Sequence, residues 1–415
     1  MVRSKPKVDL PLFEPQPSGS APAKRRVSPA KPALELAFAA PMEPMRQELL
    51  TWYRRVGRAL PWRTLWLEKA DPYTIWVSEI MLQQTVIKAV IPVYARFLDS
   101  FPTLESLAAA DEDEVKLAVR GLGYYRRFRF LHAAAKQLKA AGGHWPRTFS
   151  EWKLLPGIGD YTAAAISSIA FDAPAAVVDG NVERVFCRLL DWREAPNQPH
   201  LKRSLQRLAN QFLDQAAPGD FNQAVMELGQ TTCTPTKPRC SDCPLSAACL
   251  AQQRGSQALA PAAKLKGAPP LSITMELRIF TRGGKVALVP RPQQARFLGG
   301  TSGFITAIKV GEDAPLEAAT CDLALDGWQL DPLPAWTKVA SDHIGSVRHS
   351  ITHHRIIAAV HTAEITTLNT ALPKGTRWIP ADAVEGQLIA NLDRKAWHCL
   401  QSFLRGHHTN NSLFA

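Results

Sequence analysis

From Met45 to about Leu250 apolar residues recur at helical spacing, as in Trp76, Val77, Ile80 and Met81 and again in Val115, Val119 and Leu122. Such spacing gathers them on one face of a helix, and strand-like alternation is scarce over the same stretch, so an all-α domain is expected. Between Ala251 and Ser272 the pattern dissolves into Gln, Ala, Pro, Gly and Lys, the composition of a linker. The period then changes. Short runs such as Met275 to Thr281, Lys285 to Val289 and Arg355 to Thr362 are rich in Ile, Val and Thr and bounded by Gly or Pro. Helical segments follow near Ala381 to Val384 and Leu388 to Leu404. The expected fold class is therefore multidomain: an all-α domain over residues 45–250, a linker over 251–272 and an α+β domain over 273–405. Residues 1–40 mix Pro, Ala, Ser, Lys and Arg with few periodic apolar positions and read as a disordered basic tail, with 406–415 as a second tail.

Length and composition agree with more than one core, since 415 residues at 46% hydrophobic content exceed what a single core usually organises. Charge narrows the partners. Lys and Arg total 49 against 37 Asp and Glu, a balance of +12 that attracts polyanions; solubility alone is the plainer explanation of the same number. No run is long and apolar enough for a membrane span, and the N-terminus lacks the apolar core of a signal peptide, so a soluble intracellular protein is expected, cytoplasmic if bacterial. No heptad appears, which makes a monomer the default.

Seven cysteines are present, and four of them crowd between Cys233 and Cys249. Cys233, Cys240, Cys243 and Cys249 form a C-x6-C-x2-C-x5-C run whose short central spacing lets four thiolates converge on one inorganic centre. Tetrahedral zinc is the alternative, although four-cysteine zinc sites usually carry two short knuckles and this run has one. Lys237 and Arg239 place positive charge in the first loop, beside the metal site.

Two further segments carry chemistry. In Leu155-Pro156-Gly157-Ile158-Gly159-Asp160-Tyr161-Thr162-Ala163, Gly157 and Gly159 separate one helical stretch from the next, whose N-terminal N–H groups suit an anion. That is a helix-hairpin-helix arrangement fit to clamp a DNA phosphate. In Val178-Asp179-Gly180-Asn181-Val182, an acid precedes an amphipathic helix; helix capping is the ordinary job of such an Asp. Its value rises because Glu79 lies in the otherwise apolar Trp76–Leu82 stretch, where burial would raise its pKa. Two carboxyls in different environments are what glycosidic cleavage requires: one donates a proton to the leaving group and the other stays ionised beside an oxocarbenium-like centre. Glu79 suits the first role and Asp179 the second. Gly121-Leu122-Gly123-Tyr124-Tyr125-Arg126-Arg127-Phe128-Arg129 interleaves aromatics, which can wedge between bases or pack in a core, with three arginines that can meet phosphates.

With these motifs in order, the chain resembles the MutY family of adenine DNA glycosylases, within the helix-hairpin-helix superfamily that includes endonuclease III. The resemblance is strong over about 45–250 and weaker over 273–405, and rests on Leu60-Pro61-Trp62, Ser78–Thr85, Gly121–Tyr125, Val178–Val182 and the cysteine run. It implies a 4Fe-4S iron-sulfur cluster on the four cysteines. It also implies Glu79 as the acid at adenine N7, Asp179 as transition-state stabiliser with Asn181 hydrogen-bonding nearby, and Gln84 and Tyr124 as side chains inserted into the base stack. The implied partner is double-stranded DNA carrying adenine opposite 8-oxoguanine or guanine, with the target nucleotide flipped out.

Relatives resembling endonuclease III carry a lysine nucleophile where this chain has Tyr161, which implies a monofunctional glycosylase to whose site Tyr161 contributes. The C-terminal region resembles the Nudix-like module that reads 8-oxoguanine, through Arg291-Pro292, Leu298-Gly299-Gly300, Gly303-Phe304 and Arg348–His353. The family's Phe-Ser-His loop appears as Ile351-Thr352-His353, so Thr352 and His353 are the expected lesion contacts. Glu312, Asp313 and Glu317 do not form a metal-binding Nudix box, which implies recognition without pyrophosphate hydrolysis. The competing readings are a bifunctional pyrimidine-lesion glycosylase/lyase and a non-catalytic iron-sulfur DNA-binding module.

Overall fold

Every residue from Tyr73 to Met81 is buried, so the stretch that reads as one apolar stripe is a helix enclosed on all sides. Asp71 starts it by accepting a hydrogen bond from the Tyr73 N–H, with Pro72 at the first helical position, where its missing N–H costs nothing. The computed structural model describes residues 38, 40–195, 198–263, 269–291, 299–309, 340–351, 354–365 and 372–406. Within them this helix is α3 (Pro72–Leu82), preceded by α1 (Met42–Val56) and α2 (Pro61–Lys69). After it run α4 (Ile87–Ser100), α5 (Leu104–Ala109), α6 (Glu112–Ala118), α7 (Arg126–Ala140), α8 (Phe149–Trp152) and α9 (Asp160–Phe171). Then come α10 (Gly180–Leu189), α11 (Pro199–Phe212), α12 (Pro218–Thr231) and α13 (Leu250–Gln253).

Two cores result. One gathers around α3, α4 and α7, with Trp76 packed against Trp145 and Trp152. The other joins α1 to α10, α11 and α12. Helix α9 lies between them: Ala163 and Ile166 enter the first core, Ala164, Ala165 and Ile169 the second. Each fully buried Leu, Ile or Phe contributes about 1.5–3 kcal/mol. Phe38, inside the stretch expected to be a tail, packs on Phe212 with ring centroids 4.7 Å apart.

The strands are β1 (Leu271–Arg282), β2 (Lys285–Pro290), β3 (Ser302–Gly303), β4 (Ile305–Lys309), β5 (Asp342–Ile351), β6 (His354–Glu364) and β7 (Arg377–Pro380), with helices α14 (Val384–Gln387) and α15 (Asn391–Gly406). They form one mixed sheet in the order β3-β2-β1-β6-β5, with β4 on β1 and β7 on β2. Only the β1–β6 pair is parallel among those described. Helix α15 covers one face. Its buried Asp393 holds Arg291 through both carboxylate oxygens at 2.9 Å and accepts the Phe304 N–H.

The sheet region touches the helical region at the α6–α7 turn. Lys116 donates to the Gly300 carbonyl at 2.6 Å, the Tyr125 hydroxyl donates to the Ile389 carbonyl at 2.9 Å, and the Ile389 side chain enters the first helical core. Among the described residues no helix is long and apolar enough to cross a membrane.

Candidate active site and cysteine loop

Glu79 sits on the enclosed helix α3 and is only 6% exposed. Burial pushes its carboxyl up to about 7; the Tyr161 hydroxyl and Arg63 pull it down, and the charge of Asp179 pushes it further up. Its Oε2 is buried and has no hydrogen-bond partner among the described residues, leaving its acceptor capacity unused. Tyr161, on the first turn of α9, has its hydroxyl 3.2 Å from Met226 Sδ. A thioether is a weak acceptor, so the Glu79 carboxylate competes for that proton. Burial first, then the charges of Glu79 and Asp179, keep the Tyr161 phenol protonated, well above its ordinary range.

Asp179 is the N-cap of α10, as its ordinary reading had it. Its Oδ1 accepts from the Asn181 and Val182 backbone N–H groups at 2.9 and 2.8 Å, and its Oδ2 accepts from Asn181 Nδ2 at 2.8 Å. It also lines, with Tyr161, a cleft of about 1710 Å³ including its open mouth, walled by Lys202 and Arg203 of α11. A side-chain carbon at Gly229 of α12 would meet Asn181 Cβ at 2.8 Å, so only glycine lets α12 lie this close to the residue that orients Asp179.

Residue-by-residue reading missed an ion-pair cluster beside this site. Glu227 is buried and bonded by Arg58 and Arg63, the latter at 3.0 Å. Burial pushes its carboxyl up, but the two guanidiniums outweigh that and hold it below its ordinary value. Because Arg63 also acts on Glu79, this cluster sets part of the field at the acid. The available signal was the one that found Glu79: an acid inside an apolar run, here Ala224-Val225-Met226-Glu227-Leu228.

The hairpin comprises α8, the Lys153–Gly159 turn and α9. Gly157 has φ +74°, and a Cβ there would stand 2.5 Å from Phe130 Cβ, so this position requires glycine. Gly159 differs: its φ is −87°, a region open to any residue, and no atom lies within 4 Å of where its Cβ would be. It is the N-cap of α9 and contributes no capping side chain, leaving the helix N-terminus open.

Gln84 and Tyr124 both project outward from turns at left-handed φ, +56° and +50°. The Tyr124–Arg129 cluster splits: Tyr124 and Arg126 are exposed, whereas Tyr125 and Arg127 are buried, which corrects the expectation that all three arginines can meet phosphates. Thr352 and His353, and the Glu312–Glu317 stretch, lie outside the described residues.

Cys233, Cys240, Cys243 and Cys249 line one hollow of about 300 Å³ including its open side, together with Arg188. Arg188, buried on α10, donates to the carbonyls of Thr234, Pro235, Gln257 and Ala260 and stands 3.3 Å from Cys233 Sγ. Arg184 on the same helix bonds the Cys233 carbonyl at 2.8 Å and Asn181 Oδ1 at 3.0 Å. Helix α10 therefore carries Asp179 at one end and the anchors of the cysteine loop along its length. Four sulfurs are a donor set suited to an inorganic centre with thiolate ligands, and the Arg188 guanidinium beside Cys233 Sγ offsets their negative charge. Among the described residues no group of three or more His, Cys, Asp or Glu is itself placed to hold a metal ion.

Residues 77–211 match the HhH-GPD superfamily of base excision DNA repair proteins. The chain is 35% identical over 408 residues to the adenine DNA glycosylase of Homo sapiens, covering 86% of this chain and 74% of that one. The adenine DNA glycosylase of Mus musculus is 34% identical, covering 87% and 78%. A solved thermostable thymine-DNA glycosylase aligns with 51% of this chain and 97% of its own, at 27% identity and a TM-score of 0.45. The family match over residues 77–211 and the identity to these curated relatives define one class, the base-excision DNA glycosylases. Within that class the chain belongs to the adenine DNA glycosylase family.

Proposed function

We propose that the protein hydrolyses the N-glycosidic bond of adenine mispaired with 8-oxoguanine or guanine, without a lyase step. The carrying observation is the pair of unlike carboxyls: Glu79, buried and pushed up to about 7, and Asp179, fixed by three N–H donors at a helix N-terminus. Glu79 donates its proton to N7 of the flipped adenine as the C1′–N9 bond breaks and its electron pair leaves with the base. Asp179 stabilises the oxocarbenium-like sugar and orients the water that adds to C1′, whose proton it can take. Asn181 fixes the Asp179 rotamer, and Tyr161 hydrogen-bonds Glu79 from the other side. No lysine stands at position 161 to form a Schiff base, which supports hydrolysis over the lyase reading.

Extrusion of the adenine is served by Gln84 and Tyr124 at the tips of their turns, and the phosphate clamp by Gly157, Gly159 and the α9 N-terminus. The four cysteines would hold a 4Fe-4S cluster: thiols spaced around a cavity fit a core of several atoms better than a single zinc ion. When bound, the cluster cross-links the Cys233–Cys249 loop, which displays Lys237 and Arg239 on the outside. The sheet region would read 8-oxoguanine as a Nudix-like module, with Thr352 and His353 as contacts. The test is base release from adenine opposite 8-oxoguanine combined with borohydride trapping. Release without a covalent adduct supports the reading, and an adduct overturns its hydrolytic half.

A further inference from the structure

The two turns that carry Gln84 and Tyr124 come from distant points of the chain, yet one guanidinium joins them. Arg127 is 7% exposed. Its Nη1 donates toward the carbonyls of Ile80, at 3.0 Å, Met81, at 2.7 Å, and Gln83. Two of these belong to the last turn of α3, where the Ile80 carbonyl otherwise accepts only the long Gln83 N–H bond at 3.4 Å and the negative end of the helix dipole favours a cation. Its Nη2 donates to Thr85 Oγ1 at 2.8 Å and to the Leu122 and Gly123 carbonyls at 3.3 and 3.5 Å. Gln84 is thus bracketed on both sides, and Tyr124 is held from the two residues before it.

The tips need holding. Both are non-glycine residues in the left-handed region, a conformation that persists where the surroundings over-determine it. The Thr85 hydroxyl, 3.5 Å from the Leu122 carbonyl, adds a weak direct link between the turns. Tyr125 anchors the second turn from behind, accepting the Gly121 N–H and donating to the Ile389 carbonyl.

We infer that Arg127 is a positioning residue that fixes the Gln84 and Tyr124 turns in register, so that extrusion of the target nucleotide depends on an arginine that touches neither base nor sugar. This rests on reading Gln84 and Tyr124 as the inserted side chains. Arginine is required because its planar fork reaches acceptors on two sides at once, whereas a lysine ammonium is a point donor that serves one turn.

The test uses the full chain with its cluster and two substrates: adenine paired opposite 8-oxoguanine, and adenine in a bulge, where unstacking costs least. Iron content, visible absorbance and thermal unfolding establish that Arg127→Lys is folded. Its single-turnover base release is expected to fall on the order of a hundredfold on the paired substrate and far less on the bulge. A fluorescent adenine analogue that brightens on unstacking should report slower extrusion in parallel. Equal losses on both substrates, or no loss, overturn the inference.

If Arg127→Lys does not fold, Thr85→Val decides, with a loss of roughly two- to tenfold confined to the paired substrate. An equal loss or none again counts against the clamp. Gln84→Ala and Tyr124→Ala test the underlying reading separately. If neither slows the unstacking signal, the inserted-side-chain reading fails whatever Arg127 does.

Discussion

The sharpest consequence of the site is a pH limb that belongs to one residue. Moving a carboxyl from its ordinary 4.5 to about 7 corresponds to about 3 kcal/mol against the charged form. Near pH 7 roughly half of Glu79 then carries the proton it must donate, against well under 1% of an unperturbed glutamate. Single-turnover base release from about pH 5 to about pH 9 should therefore fall as pH rises through about 7, by about tenfold per pH unit beyond it. Glu79→Gln should lose on the order of a hundred- to ten-thousandfold and flatten that limb while still binding the mispaired duplex.

The same shift has a stability signature of fixed sign. A raised carboxyl pKa means the folded state holds a proton that the unfolded chain releases between 4.5 and about 7. Glu79 thus costs nothing below about pH 4.5, and stability is lost as pH climbs through 7, so Glu79→Gln should be the more stable protein above pH 7, by up to about 3 kcal/mol. Tyr161→Phe removes a hydrogen bond that lowers the Glu79 pKa, so its activity limb should move to higher pH. A limb that survives in Glu79→Gln, or one that moves downward in Tyr161→Phe, would mean that Glu79 is not the titrating acid.

Asp179→Asn separates capping from charge: Asn is also a good N-cap, so stability should change by less than about 1 kcal/mol while base release falls on the order of a hundredfold or more. Wild-type release in that variant would leave Asp179 as a cap alone. Arg188→Met strips two backbone carbonyls of the cysteine loop, those of Thr234 and Pro235, and two just beyond it, those of Gln257 and Ala260, of their donor and should lower the iron bound per chain and its visible absorbance. Full iron content would show that the loop forms without it.

What the sequence made legible follows from the range of the interactions involved. The helical half, the α9 start at Asp160 and the buried setting of Glu79 depend on residues a few positions apart, and periodicity and composition report those directly. The Glu227 cluster depends on Arg58 and Arg63, more than 160 positions away, so the apolar run around Glu227 can mark the acid but no local pattern announces its partners. Arg127 misled for a related reason. Beside Arg126 and Arg129 it reads as part of a phosphate-facing patch, but its place on α7 turns it under the end of α3, where the carbonyls of the last turn replace water as its partners. The reading of Asp179 as a cap and as a catalytic carboxylate converges on one geometry, because the donors that cap α10 are those that orient the acid.

Adenine excision from a mispair is decided by a substrate panel. Single-turnover base release would be measured on duplexes carrying adenine opposite 8-oxoguanine, adenine opposite guanine, adenine opposite thymine, and an oxidised pyrimidine opposite guanine. Adenine should be released from the first two, with the strands intact afterwards. Release of the oxidised pyrimidine with strand cleavage, or no release from any duplex, would contradict it.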